Sequence, residues 1–455
     1  MELQTLVNKQ KKFFLTKQTL NATFRKKQLK TLKKMLKTYE ERIYQALKKD
    51  LNKSKHETLT TELGVVYAEI DFALKHLNEW MSPEKVPAPI THKGTENIIY
   101  KEPYGSVLII SAWNYPLQLS IAPAIGAIAA GNCIVLKPSE HAAATSSLLA
   151  EMIQATFDEA YFTVVEGEKD VSQRLTELPF DYIFFTGNAH VGKAVMAQAS
   201  KHLTPVTLEL GGKSPAVIDK HAKINLAAKR IAWGKFTNAG QTCVAPDYVY
   251  VHEKVKTKFV KTLKKYIIAF YGKKPLQNKD YVKIINTHHF DRLHRFLTDG
   301  MIVHGGKSDR DKCMIEPTVL DNVSWQDDVM QEEIFGPILP VLSFRKLNDV
   351  ITKLKQGEKP LAFYYFGKDE RTQEQILEEL SFGGGCINDT LYHLANPHLP
   401  FGGVGSSGMG AYHGKYGFHT FSHNKSVMKQ TTAFDIPLRY PGSRIGHSLV
   451  KKIMG

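Results

Sequence analysis

From about residue 100 onward, short apolar runs alternate with longer stretches in which apolar residues recur at helical spacing. Val107–Ile110 predicts a buried strand, and residues 117–130 (LQLSIAPAIGAIAA) predict an apolar helix. Ile134–Leu136 predicts a second strand, followed by a helix over Thr145–Thr156 and a strand near Phe162–Val165. Tyr182–Phe185 is the next strand, with a helix beginning near Val191. Short strands with no polar alternation are buried on both faces, and helices between them imply a parallel sheet covered on both sides. A second alternating series runs from Ala216 to about Ile387, with a strand at Val249–Val251, a helix near residues 254–270 and a strand at Phe363–Phe366. The Gly-rich TLELGGKSP between the two series reads as a domain junction. Residues 398–410 (HLPFGGVGSSGMG) hold too much glycine for a helix or a central strand, which makes them a loop.

The N-terminal region is different. Leu29, Leu32, Leu36, Tyr39, Ile43 and Leu47 recur at three- and four-residue steps with lysines between them, the pattern of one amphipathic surface helix. The net charge of +15 is concentrated here, since residues 1–55 hold sixteen Lys/Arg against four Asp/Glu. Clustered cations attract phosphate backbones. No helix-turn-helix, RNA-binding or zinc-finger signature accompanies them, so the lysines read as a solvated face and no nucleic-acid partner is expected. A chain of 455 residues with 43% hydrophobic and 23% charged content fits two or three globular domains. No apolar run is long enough to span a bilayer, and the N-terminus lacks the features of a signal peptide, so a cytoplasmic location is expected. Cys133, Cys243, Cys313 and Cys386 form no C-x-x-C pair and have no histidine at ligand spacing, so free thiols are expected rather than metal sites or disulfides.

Two stretches carry candidate chemistry. In FDYIFFTGNAHVGKA (180–194) an apolar run ends at Gly187, and Gly192-Lys193 follows five residues later. This nearly matches the phosphate loop of nucleoside triphosphatases, but that loop needs Ser or Thr after the lysine to hold magnesium, and here the residue is Ala194. The strand–Gly–helix order still suits a diphosphate resting over a helix N-terminus. In GKFTNAGQTCVAPDY (234–248), Cys243 sits among small and polar residues where a thiol stays accessible. The other three cysteines read as small hydrophobes. A catalytic thiol needs a base and an oxyanion donor nearby. Glu209 of TLELGGKSP and Asn114 of SAWNYP have the right chemistry, although spacing alone does not connect them.

Together with EPYGSVLIISAWNYP, GNCIVLKPSE, FFTGNAHVGKA, EPTVL, QEEIFGPILP and LPFGGVGSSGMG, these segments make the chain resemble the aldehyde dehydrogenase superfamily from about Leu29 to Gln430. The short N-terminus and the GQTCVAPDY wording most resemble the class 3 group, which handles aromatic and fatty aldehydes. The resemblance implies an α/β fold: a Rossmann-type NAD(P)-binding domain (1–81 and 103–208), an α/β catalytic domain (209–392) and a small β oligomerisation element (82–102 and 393–435), followed by a basic tail (436–455). It implies NAD(P)-dependent oxidation of an aldehyde to the acid through a thiohemiacetal and a thioester on Cys243. Asn114 would hold the oxyanion and Glu209 would activate water. It further implies cofactor contacts from Trp113, Lys137, Glu140, Gly187, Asn188, Val191, Gly192, Glu333 and Phe335. Tyr115, Trp233 and Phe401 would face an apolar, aromatic or polyene aldehyde. Asn188 departs from the small Ser usual after the loop glycine, which puts the contacts of that position in question.

With Lys137 and Glu140 both present, use of NAD with appreciable use of NADP is expected. A homodimer is also implied, with strands near 82–102 and after LPFGGVGSSGMG pairing across the interface. In the tail, Arg439, Arg444, Lys451 and Lys452 accompany one apolar face of Ile445, Leu449, Val450, Ile453 and Met454, which reads as either a packed surface tail or a weak membrane contact. Two alternatives to the hydrolytic dehydrogenase stand beside it. A thioester-transferring member of the superfamily would generally lack the Glu209 base, and a catalytically silent binding protein would have no need of Cys243, Glu209 and Asn114 together.

Overall fold

The computed structural model describes residues 3–436, 440, 441 and 451. The first alternating series forms a six-stranded sheet in the order Gly408–Met409, Val206–Glu209, Tyr182–Thr186, Ser106–Ile110, Cys133–Lys137, Phe162–Val164. All neighbours are parallel except the two-residue edge strand Gly408–Met409. Every residue of Ser106–Ile110 and Cys133–Lys137 is buried, as expected of strands covered on both faces. The helix Gln118–Ala130 is buried along its whole length, which explains why its sequence has no polar stripe. The second series forms a seven-stranded sheet in the order Met301–His304, Thr318–Asp321, Ile338–Phe344, Tyr248–His252, Pro215–Ile218, Ala362–Phe366, Gly384–Ile387. It is parallel apart from its outermost strand, Met301–His304. The predicted helix near 254–270 spans Glu253–Tyr271.

Two expectations need correcting. The single amphipathic helix of the N-terminal region is two helices, Ala22–Thr38 and Glu40–Leu51, separated at Tyr39 (φ −99°, ψ 8°). A one-residue joint preserves the phase of the apolar positions, so the periodicity runs through the break unchanged. Leu29, Leu32, Leu36, Ile43 and Leu47 are all buried, and the lysines between them face outward.

The second correction concerns the β element. Thr95–Pro103 pairs with Ser422–Gln430 of the same chain, in register from Pro103↔Ser422 to Thr95↔Gln430, and Glu84–Val86 completes a three-stranded antiparallel sheet. The two segments expected to pair between subunits therefore pair with each other. Ser422–Gln430 is left as the outer strand, mostly exposed, with Met428 half out of the surface. The apolar positions predicted for a tail helix, Ile445 to Met454, lie outside the described residues. No helix among the described residues is long and apolar enough to cross a membrane.

Candidate active site

The carboxyl ends of the six-stranded sheet gather most of the candidate residues. Trp113 and Asn114 follow Ser106–Ile110, Lys137 and Glu140 close Cys133–Lys137, Gly187 and Asn188 follow Tyr182–Thr186, and Glu209 ends its strand. In an open parallel sheet this edge is where ligands bind, beside the strand at which the winding reverses. Ser106–Ile110 is that strand, with 133–137 on one side and 182–186 on the other.

Asn188 caps the helix Ala189–Ala199. Its backbone is extended (φ −85°, ψ 159°) and its Oδ1 accepts from Val191 N at 2.9 Å, so the position needs no left-handed residue. The first-turn amides and the helix dipole face the loop, which suits a diphosphate. Val191 and Lys193 lie on the exposed side of the helix, and Gly192 is buried. Lys137 is buried and donates to Pro138 O (2.8 Å) and to Glu140 Oε2 (3.0 Å). Burial acts to raise the Glu140 carboxyl, but its own backbone N–H and Lys137 outweigh this and hold it below the usual range. A base–acid pair thus stands ready-made on the strand next to the loop.

Cys243 comes from the other sheet, on the connection between the helix Ile224–Phe236 and the strand Tyr248–His252. Asn238, Ala239 and Gly240 precede it in three consecutive left-handed conformations (φ 54°, 51° and 74°). For the two non-glycine residues this costs roughly 1 kcal/mol each, so the turn must be held from outside. A Cβ at Gly240 would stand 2.2 Å from Gly336 O. The loop is tied to the Asn114 segment by Asn114 Nδ2 donating to Gln241 O (3.1 Å) and by a 2.6 Å bond between the Tyr115 and Thr242 hydroxyls. Tyr364 Oη donates to Val244 O at 2.6 Å from the far side.

The three-residue constellation that spacing could not connect is brought together here. The Cys243 thiol is pushed far up by burial and then by the nearby carboxyls of Glu333 and Glu209, while the backbone N–H groups of Cys243 and Val244 pull the other way. Glu209 is buried, neither carboxyl oxygen has a hydrogen-bond partner among the described residues, and burial raises its pKa well above the carboxylate range. Glu333 is raised to about 8 by burial and by Asp247, against the Gly212 N–H, Lys213 and Arg292. A Cβ at Gly211 would lie 2.0 Å from Glu333 Oε2, so only glycine allows this approach. Arg292 donates to Glu333 O (3.2 Å) and Ile334 O (2.6 Å), holding the turn in which Phe335 is left-handed (φ 50°). Trp113 packs between Phe335 (5.3 Å) and His289 (5.1 Å). A cleft of about 890 Å³ opens beside these groups, lined by Asn188, Gly211, Gly212, Lys213 and Glu333 among others.

The sequence matches the model of the aldehyde dehydrogenase family over residues 1–427. The chain belongs to the aldehyde dehydrogenase family. The 4,4'-diaponeurosporen-aldehyde dehydrogenase of Staphylococcus aureus is 50% identical over 433 residues, covering 95% of this chain and 94% of that protein. Mouse aldehyde dehydrogenase family 3 member B1 is 46% identical over 425 residues, covering 93% and 91%. A solved structure of the substrate-bound state of Staphylococcus aureus AldH superposes with a TM-score of 0.97 at 47% identity, covering all of both chains. This aldehyde dehydrogenase is an oxidoreductase that converts an aldehyde to the acid, and its likeness within the family is to class 3.

The three residues expected to face substrate occupy different depths in the dehydrogenase. Tyr115 is bound through its hydroxyl to Thr242, in the loop that carries Cys243. Trp233 is 36% exposed and packs on the exposed ring of Tyr392 at 5.5 Å, an aromatic pair open to solvent. Phe401 is buried against Tyr412 (5.7 Å) and His393 (6.2 Å). Tyr412 itself was missed by sequence reasoning: its buried hydroxyl bonds to Gln118 and is raised by burial and by the fields of Glu209 and Cys243. Also missed was the ion pair Lys213–Asp247 (2.6 Å), whose Asp247 Oδ1 accepts from Ile334 N (3.0 Å) and so joins three motifs. Lys213 lies in TLELGGKSP and Asp247 in GKFTNAGQTCVAPDY, and nothing in the spacing links the one to the other. Lys235 is fully buried with no hydrogen-bond partner among the described residues, and desolvation lowers it to about 8 although Asp247, 3.9 Å away, acts to raise it. Cys133 is a buried small hydrophobe as expected, whereas Cys313 and Cys386 are only partly buried.

The raised thiol pKa fixes the direction of one measurement. The unliganded enzyme holds Cys243 mostly as the neutral thiol, so iodoacetamide labelling of Cys243 should rise steeply with pH, by up to about tenfold per unit, and reach no plateau by about pH 9. A rate independent of pH between about 6 and 9 would mean a thiolate stabilised in the resting enzyme.

Proposed function

We propose that this enzyme oxidises an apolar aldehyde, of the aromatic or medium- to long-chain class including polyene aldehydes, with Cys243 as nucleophile and either NAD or NADP as acceptor. The observation that carries the reading is that Asn114 and Tyr115 are hydrogen-bonded to the loop that delivers Cys243, with the buried, unpartnered carboxyl of Glu209 close enough for its field to act on the thiol. Cys243 attacks the carbonyl carbon. The Cys243 backbone N–H and the amide N–H of Asn114 not engaged with Gln241 face the developing oxyanion, each such donor contributing about 3 kcal/mol. When bound, a nicotinamide nucleotide would accept the hydride that leaves the thiohemiacetal carbon, so that a thioester remains on Cys243. Glu209, its proton released to solvent, then takes one from the water that attacks the thioester carbonyl; the C–S bond breaks, the acid leaves, and the proton on Glu209 can return to the Cys243 sulfur.

The residues fit such a cofactor. The helix start at Asn188–Ala189 suits its diphosphate, the Lys137–Glu140 pair its adenosine ribose, and Glu333 its nicotinamide ribose, with Trp113 and Phe335 alongside. Lys137 favours a 2′-phosphate and Glu140 opposes it, so both cofactors should support turnover; no activity with one of them at millimolar concentration would contradict the assignment. The exposed Trp233–Tyr392 pair supports an apolar substrate, as does the polyene aldehyde named for the Staphylococcus aureus relative. A screen of aldehydes of rising chain length, with each cofactor, tests both points. kcat/KM should increase from acetaldehyde to benzaldehyde and dodecanal, and the reverse order would refute the apolar class.

In this reading the six-stranded sheet with its helices is the cofactor domain, the seven-stranded sheet is the catalytic domain, and the enzyme works in the cytoplasm. The open edge of Ser422–Gln430 supports a homodimer, because an unpaired edge strand is normally covered. Light scattering at micromolar concentration should give twice the chain mass of 51.2 kDa; a monomer would count against it.

A further inference from the structure

Beneath the nucleophile loop lies a group of charges that the reaction does not use directly. Lys53 has no exposed side-chain surface. Its Nζ donates to Glu62 Oε1 (2.5 Å) and to the Asn114 carbonyl oxygen (3.0 Å), and lies 4.1 Å from the centre of the Tyr115 ring. The other oxygen of Glu62 accepts from Leu117 N (2.9 Å) and Gln118 N (3.1 Å), at the start of the buried helix Gln118–Ala130. Glu57 accepts from Asn238 N (2.7 Å), the first residue of the left-handed turn before Cys243. The Asn238 side chain closes the circuit, its Nδ2 donating to Asn114 O (2.9 Å) and Gln241 O (3.0 Å).

The chain is bent to make this possible. Leu59–Leu63 is a π turn inserted between the helices Lys55–Thr58 and Gly64–Met81. It breaks the α-helical phase so that Glu62 is fully buried while Leu59 is 43% exposed, the reverse of ordinary amphipathic placement. Such insertions recur at functional sites. A leucine turned outward and a carboxylate turned inward are hard to explain by packing alone, since a buried ion pair is weak evidence of stabilisation.

We propose that Lys53, Glu57 and Glu62, the first and last buried and Glu57 partly so, form a polar bracket that holds the Asn114 segment and the turn before Cys243 in the reacting geometry. They are positioning residues: none is assigned a contact with substrate or cofactor. Lys53 and Glu62 fix the peptide of the oxyanion donor and the helix start behind it, and Glu57 fixes the strained turn that delivers the thiol. The proposal rests on Cys243 as nucleophile and Asn114 as oxyanion donor.

The test compares Glu57→Ala, Glu57→Gln and Lys53→Met with the parent on benzaldehyde, with the cofactor Kd measured by fluorescence. Glu57→Ala and Lys53→Met should each lower kcat by about tenfold or more while cofactor Kd stays within about twofold, because misplacement of reacting groups acts on the chemical step. Glu57→Gln keeps an oxygen for the Asn238 N–H and should return kcat to within about threefold of the parent. Parental kcat in Glu57→Ala would overturn the bracket. So would a loss of kcat accompanied by an equal loss of cofactor affinity, or one that Gln does not rescue. Cys243→Ser is assayed beside them: if it keeps turnover, the functional reading fails, whereas an active parent with an equally active Glu57→Ala removes only the bracket.

Discussion

Cys243→Ser should lower kcat by on the order of a thousandfold or more and leave cofactor affinity within about twofold of the parent. The serine hydroxyl is nearly isosteric, so the loop tied to Gln241, Thr242 and Val244 keeps its hydrogen bonds. What is lost is a nucleophile that becomes an anion at accessible pH. A serine hydroxyl would need strong activation, and the carboxyls whose fields act on this position, Glu333 and Glu209, are themselves raised by burial. Among the described residues, no cation is among the groups whose fields act on the sulfur. Cys133→Ala, Cys313→Ala and Cys386→Ala serve as controls, because Cys133 is buried in the sheet core and neither Glu209 nor Glu333 is among the groups whose fields act on the other two. Each should keep kcat within about threefold; Cys133→Ala should cost about 1 kcal/mol of stability from the lost packing. Turnover of Cys243→Ser within about tenfold of the parent would dismiss Cys243 as nucleophile.

The second large effect belongs to Glu209. Glu209→Gln should lower the steady-state rate by about a hundredfold or more, the range of a lost general base. It should still produce an initial burst of reduced cofactor, because thioester formation precedes the water step. Stability should change little, since neither oxygen of Glu209 holds a partner whose bond the amide would break. The burst separates two explanations of a slow variant. A base for deacylation leaves about one equivalent of reduced cofactor per active site, whereas a group needed to activate the thiol leaves none. A full steady-state rate would remove Glu209 from the mechanism.

The parallel strands were legible because they are short, continuous apolar runs, and Val107–Ile110 and Ile134–Leu136 lie within the observed strands to one residue at each end. Tyr39 hid a helix break because a one-residue joint leaves the three- and four-residue spacing intact. The pairing of Thr95–Pro103 with Ser422–Gln430 was not legible within one chain: more than three hundred residues separate them, and the outer strand has too little buried alternation to declare its register.

The site divides in the same way. Cys243, Glu209 and Asn114 are each ordinary in isolation, and only their joint setting among the other motifs marked them. Lys53 was invisible for a physical reason. It stands in a run of lysines that are mostly exposed, and nothing local distinguishes the one that is fully buried against Glu62. Lys213 and Asp247 were hidden likewise, since nothing in the spacing links the one to the other.

The central claim is that the aldehyde carbon becomes bonded to the sulfur of Cys243. It is tested most directly by quenching Glu209→Gln after a single turnover of dodecanal with NAD or NADP and mapping the peptides by mass spectrometry. A dodecanoyl group on the peptide carrying Cys243, formed in step with the burst of reduced cofactor and absent from Cys133, Cys313 and Cys386, is the predicted result. A full burst with no acyl group on Cys243, or the acyl group on another cysteine, would contradict it.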